Sequence, residues 1–296
     1  MPYADYEPIR ELLGGRNKVV LASRKKAGSR RPSEQFALKF INLKDYTPGQ
    51  ILIALDELNL LRRFQHSHII RLRECEMITT GSVKALMLVT DYAQGGSLGD
   101  RVRDMGGQQI HGTWVNQSVI WFAQIASALN HCHEQNVIHR DIKLDNIFVS
   151  AIGDALLADF GMARELSSSG HASTLLGTPM NMSPELWVSG SKYGRGTDLW
   201  ALGCVVWELV TLHHPFAAAK DPRALRDLVQ APCSTLAERL RASGFKPSVS
   251  VAPDACELAN ELLAVATTLL LQDFDIRPSC AQLLASPLLA GAALLA

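Results

Sequence analysis

The sequence predicts an α+β protein in two lobes, a small β-rich N-terminal lobe with one main helix and a larger α-helical C-terminal lobe. Three observations carry this expectation. Short apolar runs alternate with turn residues over positions 1–90. Beyond Asp91-Tyr92-Ala93-Gln94-Gly95-Gly96 the apolar spacing lengthens to the repeat of long helices. The Gly95-Gly96 pair, a strong local breaker, marks the change. The expected divisions are an N-terminal lobe over 1–90, a hinge over 91–96, a C-terminal lobe over 97–290 and a tail over 291–296.

In chain order, positions 19–23 and 36–41 read as strands joined by the basic loop 24–31, which suits a solvated hairpin tip better than a localisation or docking signal. Positions 49–64 read as one helix, because Ile51, Leu52, Leu55, Leu58 and Leu61 recur at helical spacing, with Pro48 at or just ahead of its first turn. Two more strand-like runs follow at 69–73 and 85–90. The second half carries long helical patterns at 114–134, 198–212 and 256–271. Between them, 147–150 and 155–158 read as a hairpin turning at Ile152-Gly153-Asp154.

Composition excludes several function classes. With 296 residues, 47% hydrophobic and 20% charged, the chain can bury a core without disulfides or metal staples. Basic and acidic residues number 29 each, so a nucleic-acid coat or polybasic membrane binder is not expected. Cys75, Cys132, Cys204, Cys233, Cys256 and Cys280 form no CxxC pair and no zinc-like spacing. They read as reduced, mostly buried thiols of an intracellular protein, cytoplasmic, nuclear or both. Positions 1–11 carry charges and a proline where a signal peptide needs an apolar run. The apolar ending 287–296 is too short to span a bilayer and reads as a last helical turn and tail.

The densest chemistry is Ile138-His139-Arg140-Asp141-Ile142-Lys143-Leu144-Asp145-Asn146-Ile147-Phe148-Val149, followed by Asp159-Phe160-Gly161. The intervening hairpin brings Asn146 and Asp159 to the same end of two adjacent strands. An amide oxygen and a carboxylate there are hard ligands suited to Mg²⁺, which favours phosphate company. Asp141 stands beside them to accept a proton from an incoming hydroxyl, and Lys143 adds positive charge for a phosphoryl group in transit.

HRDIKLDN placed thirteen residues ahead of DFG resembles the protein kinases, and the remaining family motifs fall in order along nearly the whole chain. The resemblance implies the two-lobed protein-kinase fold, ATP and Mg²⁺ (with Mn²⁺ able to substitute) as cofactors, and proteins with Ser/Thr acceptors as partners. Phe36-Ala37-Leu38-Lys39 looks like the strand whose lysine grips the α- and β-phosphates. Glu57, nine residues before His66-Ser67-His68-Ile69-Ile70, resembles its ion-pair partner. Leu88-Val89-Thr90-Asp91-Tyr92-Ala93 matches the gatekeeper (Thr90) and hinge, with backbone groups of Asp91 and Ala93 facing adenine and Ser97 just beyond. Val19, Ala37 and Phe148 are implied to sandwich the adenine ring, and Leu61, Leu72, Phe160 and His139 to stack as an apolar column.

The 177–185 run, ending Ser183-Pro184-Glu185, resembles the end of an activation segment, with Thr178 lining the acceptor pocket. Asp198-Leu199-Trp200-Ala201-Leu202-Gly203 matches DxWxxG, and Arg277 matches the arginine that pairs structurally with Glu185. Lys143 two positions after Asp141 suits a Ser/Thr enzyme, and GTPxxMSPE with a compact chain most resembles the NIMA-related kinases. Arg140 ahead of Asp141 implies control by phosphorylation, by an activating kinase or by the chain itself. Thr174 is the implied site, its phosphate bridging Arg140 and Arg164.

Two departures stand out. Asn181 replaces a common tyrosine. The glycine-rich loop is degraded: Leu12, Leu13, Gly14 and Gly15 occupy it, and Asn17 stands where a third glycine is usual. A poorer loop weakens nucleotide affinity before it abolishes chemistry, and it raises the competing reading of a pseudokinase-type nucleotide-binding scaffold. Lys39, Glu57, Asp141, Lys143, Asn146 and Asp159 are all present, which favours the enzyme.

Overall fold

In the computed structural model, the structure describes residues 5–13, 17–24, 34–44, 46–80, 83–106, 108–160, 163–166, 179–188, 194–230 and 251–292. The chain divides into two compact units, Met1–Gln94 and Gly95–Ala296.

The first unit is a five-stranded antiparallel sheet with one helix. Its strands are β1 (Tyr6–Leu13), β2 (Asn17–Arg24), β3 (Gln35–Asn42), β4 (Leu72–Thr80) and β5 (Val83–Asp91), in spatial order β1-β2-β3-β5-β4. β-alternation divides the sheet cleanly. Tyr6, Val20, Ala22, Phe36, Leu38, Ile78, Met87 and Val89 form a core on one face, anchored by an edge-to-face contact of Tyr6 and Phe36 at 5.7 Å. The helix α1 (Pro48–Arg63) starts with proline at its first position and ends on Arg62 and Arg63, which suit the negative end of its dipole. Leu58 and Leu61 are buried, whereas Leu52 is 63% exposed. Leu52 therefore leaves the expected apolar face, being one 100° step past Ile51.

Two expectations for this unit are corrected. Positions 6–13 form a strand, so Leu12 and Leu13, expected in the glycine-rich loop, end β1 instead, and Leu13 is exposed. The run 69–73 is mostly not strand: Ile69 and Ile70 are buried ahead of β4, which begins at Leu72.

The second unit is mainly helical. Its helices are α2 (Leu98–Asp104), α3 (Gly112–Glu134), α4 (Arg195–Thr211), α5 (Pro222–Gln230), α6 (Cys256–Leu269), α7 (Cys280–Leu284) and α8 (Pro287–Ala290). α4 is buried along nearly its whole length, as expected of a helix apolar on all sides at the centre of a domain. Two short strand pairs accompany the helices: β6 (Val137–Ile138) with β9 (Arg164–Glu165), and β7 (Ile147–Val149) with β8 (Ala155–Leu157). Each strand of the β7–β8 hairpin ends one residue earlier than the sequence suggests, and Gly153 supplies the turn with φ +98°. Cys132, Cys204 and Cys280 are buried and unpaired, Cys75 is half-buried, Cys256 is exposed, and Cys233 lies outside the described residues. Among the described residues no helix is long and apolar enough to cross a membrane.

Candidate active site

The site in the second unit is built outward from one buried carboxylate. Asp198, in the first turn of α4, is 0% exposed. It accepts hydrogen bonds from the backbone N–H groups of His139 (2.9 Å) and Arg140 (2.8 Å) and from His133 Nε2 of α3 (2.9 Å). Burial alone would raise its pKa, but the hydrogen bond and charge of His133 and the loop N–H groups hold it below the ordinary carboxylate value. Those bonds support Arg140 in a left-handed conformation (φ 67°), a strained state for a side chain of that size. His139 is fully buried, its pKa pushed down chiefly by burial. The neutral ring donates from Nε2 to Ala158 O (3.0 Å) and accepts at Nδ1 from the Asp141 N–H (3.3 Å). Phe160 packs edge-on against it at 4.6 Å.

The turn so formed presents Asp141, Lys143 and Asn146 as one cluster. Lys143 Nζ lies 2.8 Å from Asp141 Oδ2. Asn146 Nδ2 donates both to Asp141 O (2.8 Å) and to Asp141 Oδ2 (2.7 Å). With both amide protons held by Asp141, the Asn146 Oδ1 faces away as a hard-oxygen donor. The Ala158 N–H bonds to Asn146 O at 2.9 Å, tying this cluster to the residue before Asp159. Asp159 is exposed with φ 60°. An amide oxygen and an exposed carboxylate on neighbouring chain segments fit a Mg²⁺ ion that takes its remaining ligands from phosphate and water.

Farther along, Arg277 and Glu185 form a buried two-pronged ion pair, 2.9 Å at each contact. The remaining Arg277 donors reach Leu271 O, Gly196 O and Gln272 O, and the guanidinium lies 5.1 Å over the Trp200 ring.

In the first unit, register places four expected nucleotide residues on the sheet face opposite the apolar core. Lys39 is paired across from Val19 in β2 and Leu88 in β5, and Ala37 across from Leu21 and Thr90. The Thr90 hydroxyl donates to Ala37 O at 3.5 Å. Ala93 is buried just beyond β5. The Asp91 N–H is taken by Arg71 O (3.1 Å), and its carboxylate is gripped by Arg73 through Nε (2.5 Å) and Nη2 (3.0 Å), so only its carbonyl is left to serve as a hinge contact.

Ser97 takes a role that sequence reading did not foresee. Its hydroxyl caps α2 in a reciprocal box with Asp100, whose carboxyl is pulled down to about 2 by the Ser97 and Arg103 hydrogen bonds. Phe148, in β7, is half-buried and bridges to Ser97. Gly14, Gly15, Gly161, Thr174, Thr178 and the basic loop beyond Arg24 lie outside the described residues, as do the side chains of Glu57 and Arg164. Sequence reading missed His133 and Ala158 as supports of the site. Nothing local marks them, since one is a histidine on an apolar helix and the other acts only through its backbone.

Comparison with known proteins gives the family. The protein kinase domain matches residues 14–289, and the chain belongs to the protein kinase family. Within it, the similarity is to the NIMA-related serine/threonine kinases. The chain is 36% identical to mouse serine/threonine-protein kinase Nek4 over 227 residues, 76% of this chain and 27% of that protein. It is 35% identical to mouse Nek1 over 206 residues, 69% of this chain and 16% of that protein. The serine/threonine-protein kinase nekl-2 of Caenorhabditis elegans is 29% identical over 289 residues, 96% of this chain and 74% of that protein. The chain thus spans about a quarter or less of the two mouse relatives.

Proposed function

We propose that this chain is an active serine/threonine kinase domain, moving the γ-phosphoryl group of ATP to a Ser or Thr hydroxyl of a protein. The observation that carries the reading is the Asn146 amide, whose two protons are held by Asp141, leaving its oxygen for a metal while Lys143 flanks the same carboxylate. Phosphoryl transfer depends on positioning and charge neutralisation more than on covalent help. Asp141 orients the acceptor hydroxyl and takes up its proton, and Lys143 offsets negative charge as the bond forms. Lys39 holds the phosphates, while Val19, Ala37 and Phe148 pack against the base beside Thr90. Mg²⁺, or Mn²⁺ in its place, held by Asn146 and Asp159, supplies Lewis-acid neutralisation of the phosphate oxygens when bound. The names of the relatives support Ser/Thr acceptors and transfer rather than a scaffold role.

Control falls to Thr174, phosphorylated by an activating kinase or by the chain itself, its phosphate bridging Arg140 and Arg164. We place the protein inside the cell, with protein substrates and neither nucleic-acid nor membrane partners.

The test is incubation of purified protein with labelled ATP, Mg²⁺ and a generic Ser/Thr peptide. Transfer is expected, and Lys39→Met or Asp159→Ala should each reduce it by about two orders of magnitude or more while the thermal unfolding curve is retained. Near-parental transfer by either variant, or nucleotide binding without transfer by the parent, would overturn the reading, the latter in favour of a scaffold.

A further inference from the structure

A cavity of about 340 Å³ opens to solvent in the second unit, walled by Arg101 and Met105 of α2, Trp114, Gln117 and Trp121 of α3, and Val149 of β7. Side chains alternate along a strand, so Val149 faces away from the side on which Phe148 is expected to meet adenine. Both indoles have their N–H groups tied inward, Trp114 to Leu209 O (2.7 Å) and Trp121 to Gly153 O (2.8 Å). Their rings meet edge-to-face at 5.5 Å and offer the cavity an aromatic carbon surface.

The cavity also holds a cation without a counter-ion. The half-buried Arg101 guanidinium makes no hydrogen bond or ion pair among the described residues, and its Nε is buried without an acceptor. Its neighbour Arg103 is paired with both Asp100 (2.7 Å) and Asp145 (3.1 Å), so those two acids serve that residue instead. A side chain at Gly95 would put its Cβ 2.8 Å from Arg101 Nη2, so glycine there is what admits the guanidinium. Among the described residues no Asp or Glu lines the cavity. Leaving the Arg101 Nε donor desolvated and unmatched is costly, and such a group calls for a partner.

We propose that this cavity docks a peptide segment of a partner protein in which a large apolar or aromatic side chain stands beside an Asp or Glu. The side chain fills the space between the tryptophans, and the carboxylate pairs with Arg101. The volume lies at the low end for a whole small-molecule ligand, which suits a side chain and its neighbours, and Gln117 at the wall can pair with peptide amides. The proposal does not depend on phosphoryl transfer.

The test screens the purified chain against displayed random dodecapeptides. Enriched sequences should share an acidic residue within two positions of Trp, Phe or Leu. Their binding should weaken at least about tenfold in Arg101→Gln, which removes the charge, and in Gln117→Trp, which fills the cavity. Both variants should unfold at the parental temperature, and the indole N–H resonances of Trp114 and Trp121 should shift when peptide is added to the parent. Absence of enriched peptides, or peptides that bind both variants as tightly as the parent, would overturn the proposal. So would indole shifts produced by free indole-3-acetate alone, which would assign the cavity to a small aromatic carboxylate.

Discussion

Arg277 uses every N–H it has: two contacts to Glu185 and three to backbone carbonyls, all made from a side chain with 0% exposure. A lysine has one charged nitrogen and no planar fork, so it cannot reproduce this set. Arg277→Lys should lower unfolding stability by about 3 kcal/mol, read from urea denaturation, because it strands a buried carboxylate and several carbonyls. A half-buried acid, Glu208, behaves differently. Burial first, and then the charge of Asp145, push the Glu208 carboxyl up to about 7, with Arg103 pulling the other way. A carboxyl whose folded pKa is raised contributes stability that is fully present below its unfolded value and lost as pH rises through the folded one. Glu208→Gln should therefore raise the melting temperature at pH 8, with the gain shrinking toward pH 4.5. The Glu185–Arg277 pair was legible because each end sits in a recognisable motif. The His133–Asp198 contact was not, since 65 residues separate its ends and only the packing of α3 on α4 joins them.

At the scale of elements, legibility followed exposure. Strands β2, β3 and β5 lie inside the sheet order and show apolar runs that announce themselves, whereas β1 and β4 are its edges. Edge strands need little apolar alternation. β1 reads Tyr-Glu-Pro-Ile-Arg-Glu-Leu-Leu, with Tyr6 its single buried residue, so its strand character is invisible until β2 pairs with it. The four long helices were legible in place and type, whereas the short α2, α5 and α7 were not, because fewer than three turns show little apolar repeat. How closely the helices pack was not legible either. A Cβ on Gly203 of α4 would sit 2.9 Å from both Leu269 Cβ and Leu270 Cγ at the end of α6. Gly203→Val should thus cost about 1–3 kcal/mol by overpacking, measured as a lowered denaturation midpoint.

At the scale of the whole molecule, the order of motifs along the chain revealed the family before any coordinate did, because residues that work together are spaced by the elements that carry them. The two mouse relatives extend far past the matched region, which covers 27% of one and 16% of the other. The arrangement around Asp198 has one further result. The turn bearing Asp141 is bolted to the central helix of its unit through the amides of His139 and Arg140, rather than hung between strands as an independent loop. Those two amide protons should therefore be among the slowest in the protein to trade for solvent deuterium, exchanging only when the unit melts as a whole. Fast exchange there would mean that the turn breathes separately from the helix beneath it.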